Sequence, residues 1–339
     1  MNRRNLGWIF LLLGSSVFAG SPRIELVWPT PNTAYVEGKP IEAYVQPTAS
    51  GEATSGLFGC VRSGGAQFHE GVDLKPVSRD RKGEPTDEIF ASMAGVVRYI
   101  SLRPGESSYG RYIVIEHPDL KPPVYTLYAH LSAVAPGLKA GDPVARAQVI
   151  ATMGHSSSGG GFPKDRAHLH FEIGLIATRQ FQSWYKWKQF GSPNEHGLYN
   201  GMNLMGINPL DFFNEFRARR VDNLEDYFSR MPVVAKVRIA TRTVPDFVLR
   251  YPSLLTTEVP MSGVAGWEFK VNATGLPFSW TPLTATDVIG YRTNEVRLSD
   301  VDAEALKRFR CKSIAVLRRG EYQTGRDLET MLQLVFGLR

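Results

Sequence analysis

Between residues 55 and 175 the chain is built from short apolar runs that end at glycine, proline or serine. Residues 96–100 (Val-Val-Arg-Tyr-Ile), 112–116 (Tyr-Ile-Val-Ile-Glu) and 124–128 (Val-Tyr-Thr-Leu-Tyr) are rich in β-branched and aromatic side chains, which suit a pleated, half-buried strand. His168-Leu169-His170-Phe171-Glu172-Ile173 alternates. Successive strand side chains point to opposite faces, so the two imidazoles share one side while Leu169 and Phe171 enter a core. This pattern predicts a mainly β, mostly antiparallel domain with few helices. Residues 76–88, rich in charge, and 154–165, which contain Ser156-Ser157-Ser158-Gly159-Gly160-Gly161, read as long loops.

Residues 21–54 read as an extended arm, because Pro22, Pro29, Pro31, Pro40 and Pro47 interrupt any helix; short strands are expected at 23–28 and 41–45. The aromatic residues Trp184, Tyr185, Trp187 and Phe190 are expected to pack an insertion at about 176–207. Beyond residue 214 the pattern predicts strands over 233–241, 267–271 and 313–317. A helix over 303–309, capped from Ser299 and Asp302, and a second over 328–336 complete a small α+β region, 215–339, in which no cluster of chemistry-bearing residues stands out.

The first twenty residues change the picture of compartment. Arg3 and Arg4 precede an apolar stretch over 6–17, and Val17-Phe18-Ala19 makes a small-residue cleavage site, so residues 1–20 read as an export signal, either cleaved after Ala19 or Gly20 or retained as an N-terminal anchor. No later run is apolar and long enough to span a bilayer, so no transmembrane span is expected after signal removal. The protein is therefore expected to be exported, to the periplasm, the cell envelope or the medium. Its net charge of +6 would fall to +4 with the loss of Arg3 and Arg4, a modest balance that favours an anionic partner, and no nucleic-acid motif is present. Cys60 and Cys311 either pair in an oxidising compartment or remain two buried thiols; neither has zinc-site spacing.

The chemistry concentrates in three short motifs: His69-Glu70-Gly71-Val72-Asp73, Tyr128-Ala129-His130-Leu131 and His168-Leu169-His170. Imidazole and carboxylate are the ligands Zn²⁺ favours, and three protein ligands with one position left open mark a catalytic rather than a structural site. His69 and Asp73 would lie roughly 13 Å apart on a straight strand, so the chain must bend between them, and Gly71 permits the bend. The rival reading, the helical zinc-binding H-E-x-x-H, fails because the fifth position is Asp73, Gly71 disfavours a helix, and Ser63-Gly64-Gly65 just upstream argues for a loop. Glu70 then reads as a solvated loop residue. His117, His155 and His196 read as structural.

In order and content these motifs resemble the lysostaphin-type (LytM-like) zinc metallopeptidases, which cut peptide bonds of bacterial peptidoglycan. The resemblance spans about residues 55–175 and includes Phe171-Glu172 after the H-x-H, Ala91-Ser92-Met93-Ala94-Gly95-Val96-Val97, and Lys139-Ala140-Gly141-Asp142-Pro143-Val144 with Gln148-Val149-Ile150. Asn208-Pro209-Leu210-Asp211-Phe212-Phe213 resembles the family's exit from the catalytic domain, placing that domain at 55–214. The resemblance implies two packed antiparallel sheets with an open groove and one zinc ion per chain on its floor. It implies His69, Asp73 and His170 as metal ligands, and His130 and His168 beside the metal, with His168 on the base side and His130 on the oxyanion side. The chain departs from the family at Asp165-Arg166-Ala167, where a Gly-Pro-like lead-in is usual, and at Ala147, where glycine is common. The expected function is zinc-dependent hydrolysis of peptidoglycan peptides. The alternatives are a non-catalytic wall-binding or hydrolase-activating module, which would not need all five residues, and a secreted peptidase directed at proteins.

Overall fold

The computed structural model describes residues 23–257 and 263–339, so the expected export signal lies outside the described residues. Eight strands position the site: β1 Gly59–Arg62, β2 Gln67–His69, β3 Val72–Leu74, β4 Gly95–Ser101, β5 Tyr112–His117, β6 Val124–Ala129, β7 Leu169–Ile176 and β8 Leu204–Ile207. β1 and β2 form an antiparallel hairpin. The main sheet runs β8-β7-β6-β5-β4 and ends at the short strand Pro143–Val144, with β3 also paired to β7; all of its pairings are antiparallel. A second antiparallel sheet of Glu88–Phe90, Val149–Thr152 and Ala133–Val134 shares its core.

Alternation along β7 sets the layers. Leu169, Phe171, Ile173 and Leu175 join Ile89, Ile150 and Met153 in the large core, as the sequence pattern requires. On the opposite face Ile176 joins Tyr112, Tyr125 and Leu127 in a second cluster, so all eight residues of β7 are buried. The N-terminal arm does not form the expected strands. Residues 23–28 carry none, and 41–45 make a 3₁₀ turn at Ile41–Ala43 followed by a single bridge from Val45 to Leu74. Pro40 starts this turn, and burial of Trp28, Tyr35 and Tyr44 against Phe213 fixes the arm, with Trp28 and Tyr35 stacked at 4.1 Å.

The C-terminal region is α+β, with a four-stranded antiparallel sheet of Pro277–Leu283, Gly266–Val271, Ala235–Ile239 and Val296–Ser299. Asp302 caps the helix Ala303–Arg308 through the Glu304 and Ala305 amides, whereas Ser299 ends a strand and caps nothing. The final helix is Arg326–Phe336. Helix Pro209–Arg217 runs across the expected 214/215 boundary, so the chain passes between regions without a linker there. Cys60 and Cys311 are disulfide-bonded. In the insertion, Trp184 and Tyr185 pack with Phe181 and Leu334, while Trp187 and Phe190 are partly exposed. No helix among the described residues is long and apolar enough to cross a membrane.

His117 is structural. It is 1% exposed, its Nδ1–H donates to Ala94 O at 2.8 Å, and its Nε2 accepts from Thr126 Oγ1 at 2.8 Å. Burial pulls its pKa down to about 4 despite the Ala94 bond. The unfolded chain, with an ordinary histidine near 6.5, then binds more protons between those values. Stability from this residue is complete above about pH 6.5 and is lost as pH falls toward 4, by roughly 3 kcal/mol in all. Denaturant melts from about pH 7 to pH 4 on the parent chain and on His117→Gln should therefore converge at the acid end.

Candidate metal centre

Strand register assembles the site. On β7, His170 stands opposite Asp73 of β3 on one side and opposite Ala129 of β6 on the other, which brings His130 within reach. His69 ends β2, and the chain turns through Glu70-Gly71 into β3. Gly71 serves close approach rather than an unusual backbone angle: a Cβ there would lie 2.4 Å from Phe171 O. Glu70 is exposed, as expected of a loop residue.

His69, Asp73 and His170 are all buried, and their ligand atoms lie within 4.8 Å of one another. His69 Nε2, His170 Nδ1 and Asp73 Oδ1 form a triangle whose three sides each measure 3.0 Å. The outer bonds fix which nitrogens face inward. His69 Nδ1 lies 2.7 Å from Leu57 O, an acceptor, so it carries the proton and leaves Nε2 as a lone pair. His170 Nε2 lies 2.9 Å from the Glu172 carboxylate, which leaves Nδ1 as a lone pair. Three acceptor atoms thus converge on one point and call for a cation. Tetrahedral ligands at zinc distances are separated by about 3.3 Å, so the donor set fits the ion in type, number and spacing.

The electrostatics agree. Burial alone would lower the pKa of His170, but the Asp73 and Glu172 carboxylates on either side of the ring push it up to about 9, a measure of how strongly this position favours positive charge. Burial would raise the Asp73 carboxyl, yet the neighbouring His69, His168 and His170 hold it well below the usual range.

His130 and His168 lie together just outside the triangle, ring centroids 4.8 Å apart. His130 Nδ1–H donates to Ser156 O at 2.8 Å and His168 Nδ1–H to Arg166 O at 2.7 Å. Both rings therefore keep a bare Nε2; that of His168 is buried without a partner and lies 3.5 Å from Asp73 Oδ1. Burial lowers the pKa of both, strongly for His130, where His168 and His170 add to the effect. They are neutral proton acceptors. His130 sits at φ 63°, a left-handed backbone that costs on the order of 1–2 kcal/mol for such a residue. Its amide bond to Tyr109 O and its ring bond to Ser156 hold it there.

The long loop over residues 154–165 reaches the two outer histidines. Besides Ser156 O, the segment supplies Phe162, whose ring stacks on His168 at 4.9 Å and meets His130 edge-on. His155 donates to Phe162 O and contacts Glu84 of the 76–88 loop, which also bonds Lys164, so the two loops are tied together. His196 is buried and bonded to Tyr99 and Glu106 O. Ala147 adopts φ 64°, the region that favours glycine.

Several supporting residues escape a reading of the motifs alone. Glu172, 1% exposed, accepts from His170, from Tyr109 at 2.6 Å and from Tyr125 at 2.8 Å. Burial and the Glu172 charge raise both phenols well above their ordinary range, so they remain donors. Glu172 lies two residues past His170 on an alternating strand, a same-face signal that the sequence does contain. Tyr109, Ser156, Arg166 and Arg62, whose guanidinium reaches Asp73 Oδ2, carry no such signal. Glu172→Gln should weaken zinc binding about ten- to a hundredfold, the usual cost of losing the group that orients a metal ligand, as read by competition with a chromophoric chelator.

Residues 67–181 match the profile of Peptidase family M23. The M23 segment contains all five motif residues and Glu172. Similar solved structures include a zinc-containing peptidase from Vibrio cholerae, 25% identical over 45% of this chain and 37% of that one, TM-score 0.30. They also include a mutant catalytic domain of EnpA, a prophage-encoded M23 protein from Enterococcus faecalis. It is 22% identical over 39% of this chain and 80% of that one, TM-score 0.28. A third is the catalytic domain of the antimicrobial peptidase lysostaphin from Staphylococcus simulans, 17% identical over 51% of this chain and 95% of that one, TM-score 0.29. The chain thus spans well under two thirds of the Vibrio peptidase. A search of curated proteins returned no match.

Proposed function

We propose that this chain is an exported zinc endopeptidase that hydrolyses peptide bonds of peptidoglycan. The observation that carries the reading is the triangle of His69 Nε2, Asp73 Oδ1 and His170 Nδ1, three buried acceptors whose outer bonds turn their lone pairs toward one point. A zinc ion held there would supply Lewis acidity, polarising the scissile carbonyl and making water a nucleophile near neutral pH. We assign His168 as acceptor of the attacking water's proton, because its Nε2 is bare and faces Asp73. Protonated, His168 can return that proton to the leaving amine. We put His130 on the carbonyl side. With Ser156 holding its Nδ1–H, it bonds an oxyanion only once Nε2 has gained a proton.

The Cys60–Cys311 disulfide supports export, since such bonds persist in oxidising compartments. A binding or activating module has no use for two neutral histidines aimed at the ligand triangle, which favours an enzyme over that alternative. The test is release of dye from labelled peptidoglycan by the zinc-loaded chain, with mass spectrometry of the fragments. Chelator should abolish release and zinc restore it. Release that survives the chelator, or none from folded, zinc-loaded protein, overturns the reading.

A further inference from the structure

Asp73 has two carboxylate oxygens, and the ligand triangle uses one. Oδ1 lies 3.0 Å from both His69 Nε2 and His170 Nδ1, while Oδ2 bonds Arg62 Nη2 at 2.6 Å. A carboxylate with both oxygens free can chelate an ion through the pair and fill an extra coordination place. Asp73, 2% exposed at its side chain, has one oxygen already committed to a guanidinium, whose charge-assisted bond is among the stronger kinds. We propose that Arg62 is a positioning residue of the metal centre, restricting Asp73 to a single ligating oxygen, and that the C-terminal region clamps Arg62 in place through the Cys60–Cys311 disulfide. This rests on the metal-site reading given above.

The clamp is visible in the chain path. Arg62 is the last residue of β1, whose strand partner is β2, with Gly59 opposite His69 and Cys60 opposite Phe68. This two-stranded hairpin carries both Arg62 and His69, and it is not part of the main sheet. Part of its fastening comes from the far end of the chain. Cys60 is bonded to Cys311, Phe309 lies over Gly59, and Lys312 Nζ sits 4.3 Å from the centre of the Phe68 ring. At its own base, Arg62 Nε donates to Ser55 O at 3.5 Å. A region without chemistry of its own thus bears on the metal centre through β1.

The test measures zinc affinity by chelator competition, and the visible absorption of the Co²⁺ form, on the full chain and three variants. Arg62→Gln should bind zinc about ten- to a hundredfold more weakly. Its Co²⁺ bands should weaken as Asp73 brings in its second oxygen and the coordination number rises, a change that general destabilisation does not produce. Arg62→Lys, which keeps a donor and the charge, should fall between the two and serves if the glutamine variant does not fold. Cys60→Ser with Cys311→Ser should shift affinity and spectrum in the direction of Arg62→Gln, by a smaller factor. Zinc affinity and a cobalt spectrum in Arg62→Gln equal to those of the parent overturn the role of Arg62. A serine pair indistinguishable from the parent overturns the clamp. A parent chain that takes up neither metal overturns the reading of the site itself, an outcome the parent alone reveals.

Discussion

His170→Ala should cost the chain its zinc and its turnover together. His170 occupies the middle of the site: Asp73 faces it from β3, Ala129 from β6, and its two nitrogens join the ligand triangle to Glu172. Removing the ring deletes one of three ligand atoms, so the loss of affinity should exceed the roughly ten- to hundredfold typical of removing a group that only orients a ligand. It also takes the imidazole donor from Glu172, a carboxylate 1% exposed. Losing a hydrogen bond to a buried charged group typically costs about 1.5–3 kcal/mol. The lower half of that range is expected here, because Tyr109 and Tyr125 still bond the carboxylate. The expected result is a folded protein with a lowered melting temperature, near-zero zinc by mass spectrometry and no measurable wall cleavage. His69→Ala should lose metal and activity in the same way. Full zinc content in either variant would refute the ligand assignment.

His168→Ala should behave in the opposite manner, keeping zinc and losing rate. Its ring lies outside the triangle, and its outer nitrogen is spent on Arg166 O, so the metal site keeps all three ligand atoms. The variant loses the bare Nε2 that accepts the proton from water. General-base assistance is worth about 10²–10⁴ in rate, and the fall should appear in kcat rather than KM. His130→Ala should also keep zinc and lose rate. Because the two rings act on one reaction and lie 4.8 Å apart, the double variant should be much less than multiplicatively worse than either single one. Loss of zinc from His168→Ala or His130→Ala would show that a histidine placed outside the triangle is a ligand.

The residues that the fold brings together are legible in the sequence because their signals are local. Strand alternation alone puts His168 and His170 on one side and Phe171 in the core, and the three spaced motifs supply the rest by resemblance. The register that sets His170 against Asp73 is not legible, since pairing partners separated by 97 positions leave no mark on either segment. The same holds for Arg62 on Asp73 and for Cys60 with Cys311, which depend on where a distant region docks. The arm shows propensity overruled by packing: residues 41–45 have strand-like composition, but Pro40 and burial of Tyr44 make a turn. Gly71 is needed for a reason no local pattern reveals, because the closeness of Phe171 O is a tertiary fact.

The whole mechanism turns on one divalent ion being held by His69, Asp73 and His170, and not by His130 or His168. Anomalous diffraction at the zinc edge from zinc-loaded crystals decides the matter. The expected map has a single peak per chain bonded to His69 Nε2, Asp73 Oδ1 and His170 Nδ1, with Asp73 Oδ2 still on Arg62. A peak ligated by His130 or His168, or no peak in the triangle, would contradict it.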